Sequence, residues 1–183
     1  MRFLSLPLLL AVLAVATASD AQPLQAFDAP TPSSFDRFGT SIAIDSGAVR
    51  IGAPGDDTSG PAVGQAHLFD AASGSLLQTF DDPTPTAFDF FAGSVAIDGG
   101  AALIGAERDD TNGTNVGQAH LFDIATGNLL QTFNDPTPSN EDAFGGSVAI
   151  DGGVVLIGAP RDDTDGTNVG QAHLFDAATG NLL

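Results

Sequence analysis

Two stretches of the chain concentrate oxygen donors at close spacing. Asp162, Asp163, Asp165 and Asn168 surround Gly166, and Asp109, Asp110 and Asn112, followed by Asn115, surround Gly113. Carboxylates and amides wrapped on a glycine can offer a calcium ion the six to eight oxygens it takes. The same residue types close turns without any ion, by bonding their own backbone. The corresponding stretch near residue 60 keeps Asp56 and Asp57 but has Ser59 and Ala62 at the other two positions. That fading of donors fits turn chemistry better than a site needed in every copy. Calcium at these residues is thus the one metal the sequence offers, and no organic cofactor is implied. His67, His120 and His173 fall at the same place in three successive copies, which puts them in three different structural units. They read as strand residues packed between units rather than as one zinc centre. No nucleophile–base pair, paired-carboxylate or phosphate-cradling arrangement stands out.

These residues sit on a repeat. The three histidines are 53 residues apart, and so are Ser41, Ser94 and Ser147, and Phe27, Phe80 and Phe133. A period near 50 is too long for helical solenoids and matches one β-propeller blade. Within each copy the patterns are β. GTSIAID (39–45) and AVRIGAP (48–54) flank Asp45-Ser46-Gly47, and the later copies carry Asp-Gly-Gly at 98–100 and 151–153. Such turns between apolar runs signal hairpins, because both central residues must accept positive φ. GQAHLFD (64–70) and LLQTF (76–80) supply two more strands. Each repeat is therefore expected to be a four-stranded antiparallel meander, strands a to d. Strands a and b are apolar on both faces, which requires neighbouring blades on both sides. In a meander the a–b and c–d turns share one end. The long b–c loops (55–63, 108–116, 161–169) and d–a loops (81–90, 134–143) share the other, where function is expected. DPTP at 82–85 and 135–138, with APTP at 29–32, reads as rigid extended linker.

Composition narrows the function classes. The chain has 183 residues, with 21 Asp, 2 Glu, 5 Arg and no Lys, for a net charge of −18. Nucleic acid and anionic membranes are excluded as natural partners by that field; protein or glycan ligands remain. The absence of cysteine leaves stability to packing, and 43% hydrophobic residues is too many for bulk disorder. Arg2, the apolar run Phe3 to Ala16 and the small residues Ala16-Thr17-Ala18 have the form of a secretory signal peptide. No later segment is apolar for long enough to span a bilayer as a helix.

The motifs Phe38-Gly39 with Gly52-Ala53-Pro54, and Phe144-Gly145 with Gly158-Ala159-Pro160, resemble the FG-GAP repeat; the middle copy departs from it with Phe91-Ala92 and Gly105-Ala106-Glu107. The resemblance spans residues 35–183 and implies the propeller fold of integrin α-subunits and of many exported bacterial proteins. Members of that family often hold calcium in a D-x-D-x-D-G-x-x-D loop between the two motifs. Here that place holds a tight turn with the single carboxylate Asp45, so the family's calcium site does not carry over. The c–d segment also resembles quinoprotein repeats, which have a D-A-x-T-G turn and a docking Trp; this chain has no Trp.

The expected organisation is a signal peptide (1–18), an N-terminal segment (19–34) with a strand-d-like piece at 23–27, and repeats at 35–87, 88–140 and 141–183, the last truncated. Three blades are fewer than the four to eight of known propellers. The chain is thus expected to be a fragment, or to close a ring as a homo-oligomer, or to form an open stack. The expected function is an exported, non-enzymatic binding module acting through its long acidic loops. A piece of a propeller hydrolase or lyase, and a purely structural surface protein, are the alternatives.

Overall fold

The computed structural model describes residues 25–183. The expected signal peptide and the start of the strand-d-like piece lie outside them. The described chain is all-β, with three antiparallel sheets in chain order. The first blade comprises β1 (Ser41–Asp45), β2 (Ala48–Ala53), β3 (Gln65–Asp70) and β4 (Leu76–Asp81). The second comprises β5 (Phe91–Asp98), β6 (Ala101–Ala106), β7 (Gln118–Asp123) and β8 (Leu129–Asn134). The third has β9 (Ser147–Asp151), β10 (Val154–Ala159) and β11 (Gln171–Asp176), with a single bridge from Leu182 to Phe175 where a fourth strand begins. Sequential strands pair throughout, as a meander requires. The β1–β2 turn pairs Asp45 with Ala48, and Ser46 and Gly47 both take positive φ (47° and 82°). That is the type I′ geometry matching strand twist.

The blades form an open series, each sheet stacked on the next without ring closure. Two apolar cores lie between them. The first joins Leu68 and Phe80 of the first blade to Phe91, Val95, Ile104 and Phe122 of the second. The other joins Leu103, Leu121 and Phe133 to Phe144, Val155, Ile157 and Phe175. The strand-d phenylalanine of one blade meets the strand-c phenylalanine of the next: Phe80 with Phe122 and Phe133 with Phe175, both at 5.3 Å between centroids. Phe27 meets Phe69 in the same way at 5.2 Å. Phe27 therefore fills a strand-d place ahead of the first blade, although the described residues around it join no ladder there.

The repeat motifs have a mechanical role at these joints. Ser41 Oγ donates to the Ala92 carbonyl at 2.7 Å, and Ser94 Oγ to the Gly145 carbonyl at 2.6 Å. Those carbonyls press against Gly52 and Gly105, where any Cβ would collide with the neighbouring blade's backbone. Phe91 and Phe144 wedge against His120 and Phe122, and against His173 and Phe175. The middle blade, covered on both sides, buries both faces as expected, whereas Ile42 and Ile44 on the outer side of β1 remain about three-quarters exposed (73% and 71%).

Candidate functional site

The long b–c and d–a loops gather at one end of the blades, where they make a rim over a buried polar floor. The two carboxylates of each Asp-Asp pair have different jobs. The first turns inward: Asp56, Asp109 and Asp162 are buried, and each accepts the backbone N–H two residues on, at 2.8 Å. The second pins the exposed loop: Asp57, Asp110 and Asp163 accept the N–H five residues on, from Ala62, Asn115 and Asn168. Asp165 and Asn168 are exposed. Asn112 is also exposed and donates to Asn134 at 2.7 Å. The seven calcium candidates are thus distributed, with Asp109 and Asp162 in the floor and the other five on the loop surface.

The floor brings in a residue that the sequence reading treated as linker. Asp82, of the first DPTP, is buried, accepts the Thr84 N–H at 2.9 Å and faces Asp109 and His120 of the next blade. Asp135 does the same toward Asp162 and His173. In each trio one ligand atom per residue lies within 4.8 Å of the others. The reason is local: an Asp before Pro closes an Asx turn, which points its second oxygen inward. Thr84 Oγ1 links the two blades by donating to Asp109 at 2.8 Å, and Thr137 links to Asp162 at 3.2 Å. Only the alternation between DPTP and APTP in the sequence signalled this role; Ala29 stands where the later copies have Asp82 and Asp135.

The electrostatics follow from crowding. Burial pushes Asp82 up to about 7, with the Asp89 and Asp109 carboxylates adding and the Thr84 hydrogen bonds opposing. Asp89 and Asp142 are raised too, by burial first and by neighbouring carboxylates. For Asp162, burial also pushes up, but hydrogen bonds from Thr164 and Thr137 and the nearby His173 leave it below the ordinary value. Burial lowers His120 to about 4 against the pull of Asp109, so its imidazole is neutral at physiological pH.

Above this floor, between the first two blades, the rim carries an aromatic cleft of ≈ 330 Å³ whose lining includes Phe35, Phe88 and Phe90 with the charged side chains Arg37 and Asp57. Phe35 and Phe88 are 87% and 58% exposed. Arg37 and Arg108 lie over the Phe90 ring at 5.7 and 4.9 Å. Arg108 therefore stacks on an aromatic ring, while Arg161 reaches Glu141 at 3.9 Å. Phe35, Arg37, Phe88 and Phe90 all hold positive φ, 53° to 73°. Bulky side chains rarely accept that region. In the third copy Glu141 and Ala143 take the same backbone places, so the aromatic cleft belongs to one joint. Exposed phenylalanines in a polar loop were its sequence signal.

The in-phase blades, the Phe-Gly wedge and the glycine joint define a class of repeat protein built from propeller blades. The FG-GAP repeat model matches residues 24–69, 84–122 and 136–175, and the chain belongs to the FG-GAP repeat family. The fold is similar to that of the computationally designed Ika4 protein (TM-score 0.54, 19% identity, covering 86% of this chain and 74% of that one). It is also similar to the computationally designed Ika8 protein (TM-score 0.51, 20% identity, covering 79% of this chain and 35% of that one). No curated protein matches.

Proposed function

We propose that the chain is an exported, non-enzymatic FG-GAP binding module that engages a glycan or protein ligand through its long-loop face. The observation that carries this reading is the cleft lined by Phe35, Arg37, Phe88 and Phe90, with Arg108 stacked on the Phe90 ring beside it, presented above the stacked blades. Exposed aromatic rings beside guanidinium groups suit sugar faces and extended peptides, because each side chain offers a broad apolar surface with fixed polar donors. The surrounding acidic loops set specificity by repelling anions and drawing cationic or neutral ligands. Export is supported by the signal-peptide form of the N-terminal sequence. The test is a glycan array and a direct binding assay with extracellular polysaccharide and protein fractions, comparing the native chain with a Phe35→Ser/Phe88→Ser variant. Both residues are exposed, so folding should persist while binding falls at least tenfold; equal binding by the two proteins would refute the reading.

A further inference from the structure

The two floor clusters contain polar atoms that nothing in the protein satisfies. Oδ2 of Asp82, Nε2 of His120, Oδ2 of Asp135 and Nε2 of His173 are all buried without a hydrogen-bond partner among the described residues. His120 is fully buried and His173 is 9% exposed. An orphan of this kind gives up its hydration with nothing in return, and these four recur as matching pairs at successive joints. Their neighbours deepen the conflict. Two carboxylates face each other in each trio, and Nε2 of His173 stands 3.9 Å from Asp135 Oδ1. A cation placed among them turns those contacts from repulsive to attractive.

We propose that each joint, Asp82–Asp109–His120 and Asp135–Asp162–His173, is a binding site for a first-row divalent transition-metal ion, zinc being the probe. Two carboxylates and one imidazole make a donor set for zinc and its neighbours, whereas calcium takes oxygen donors. The His120 ring is already held in the manner of a metal ligand. Its Nδ1 meets Thr132 Oγ1 at 3.1 Å, which leaves Nε2 to face the carboxylates. A tetrahedral ion at about 2.0 Å spaces its ligand atoms about 3.3 Å apart, so the observed gaps close by side-chain adjustment alone. The sites bridge blades: Asp82 belongs to the first blade and Asp109 and His120 to the second, so a bound ion would clamp adjacent blades together. The first copy supplies an internal control. It keeps Asp56 and His67 but has Ala29 in place of the third ligand. The sites are independent of the rim cleft and of its ligand.

The experiment is zinc titration of the chelator-stripped protein by calorimetry, with metal content measured after dialysis. Physiological salt and millimolar calcium are present throughout to suppress diffuse binding to the acidic surface. Two zinc ions per chain are expected. Asp82→Ala with Asp135→Ala should abolish both, and it installs what repeat 1 already tolerates at Ala29; circular dichroism checks the fold. If that variant does not fold, His120→Gln with His173→Gln takes its place with the same expected loss. His67→Ala should leave the count at two. A count of zero in the native chain, unchanged zinc binding in the folded variants, or displacement of zinc by the calcium would each overturn the proposal.

Discussion

Arg50 offers the sharpest test of how these blades are held together. It lies on β2 with 0% exposure, at the position occupied by Leu103 and Leu156 in the other two blades. Among the described residues, Nε, Nη1 and Nη2 have no hydrogen-bond partner, and the guanidinium sits 4.0 Å over the Phe80 ring. Burial lowers its pKa from 12.5 to about 9. At about 1.4 kcal/mol per tenfold, that drop corresponds to a penalty of about 5 kcal/mol on the charged form. The contact with Phe80 returns about 2 kcal/mol, as for a desolvated cation over an aromatic face. Arg50→Leu, which installs the residue found in the other copies, should therefore stabilise the protein by about 2–3 kcal/mol. For a chain of this size that raises the melting temperature by about 4–12 °C. Because the depressed pKa is still well above neutrality, the penalty is fully present below about pH 9, and the gain should be constant between pH 5 and 8. The converse change, Leu103→Arg, should destabilise by a comparable amount. Thermal and urea unfolding of the native chain and both variants provide the measurement. An Arg50→Leu protein that melts at or below the native temperature would refute the reasoning, because it would mean that Arg50 contributes net stability.

Two further outcomes are expected. Gly105→Ala drives a methyl group into the Gly145 carbonyl and Ser94 Oγ, and should cost about 1–3 kcal/mol through overpacking; Gly158→Ala, which meets only the movable Ser147 side chain at close range, should cost less, and denaturant midpoints of the pair will rank them. Asp70, Asp123 and Asp176 are half-buried residues at the ends of β3, β7 and β11 whose pKa values are lowered, chiefly by side-chain hydrogen bonds from Ser73, Thr126 and Thr179. Their folded-state values lie below the unfolded value of 3.8, so their stabilisation is present above about pH 4 and is lost as pH falls through the folded values. A triple Asp→Ala variant should show a flatter decline in melting temperature between pH 5 and pH 2, and parallel profiles would argue against the turn hydrogen bonds as a source of acid sensitivity.

How much of the protein was legible beforehand depends on the range of the interaction. The Asp45-Ser46-Gly47 turn, the short strand LLQTF and the 53-residue repeat are local or periodic features. The expected strands accordingly agree with β1 to β4 to within one or two residues at their ends. The long-loop face followed from meander topology alone. The floor could not be read in the same way. Asp82 comes from one blade and Asp109 and His120 from the next, and nothing in the spacing says that the DPTP carboxylate turns inward. The Asp pairs likewise look uniform in sequence, yet one member is buried and the other braces a surface loop, because only the stacking of blades decides which side of the loop faces protein. Arg50 makes the same point: in sequence it is a lone charge in an apolar strand, and its fate depended on whether the neighbouring blade covered it. By itself the sequence determined the blade, since backbone pairing and turn chemistry act over a few residues. Tertiary structure alone decided what each joint encloses, since burial and the convergence of charges exist only once two blades meet.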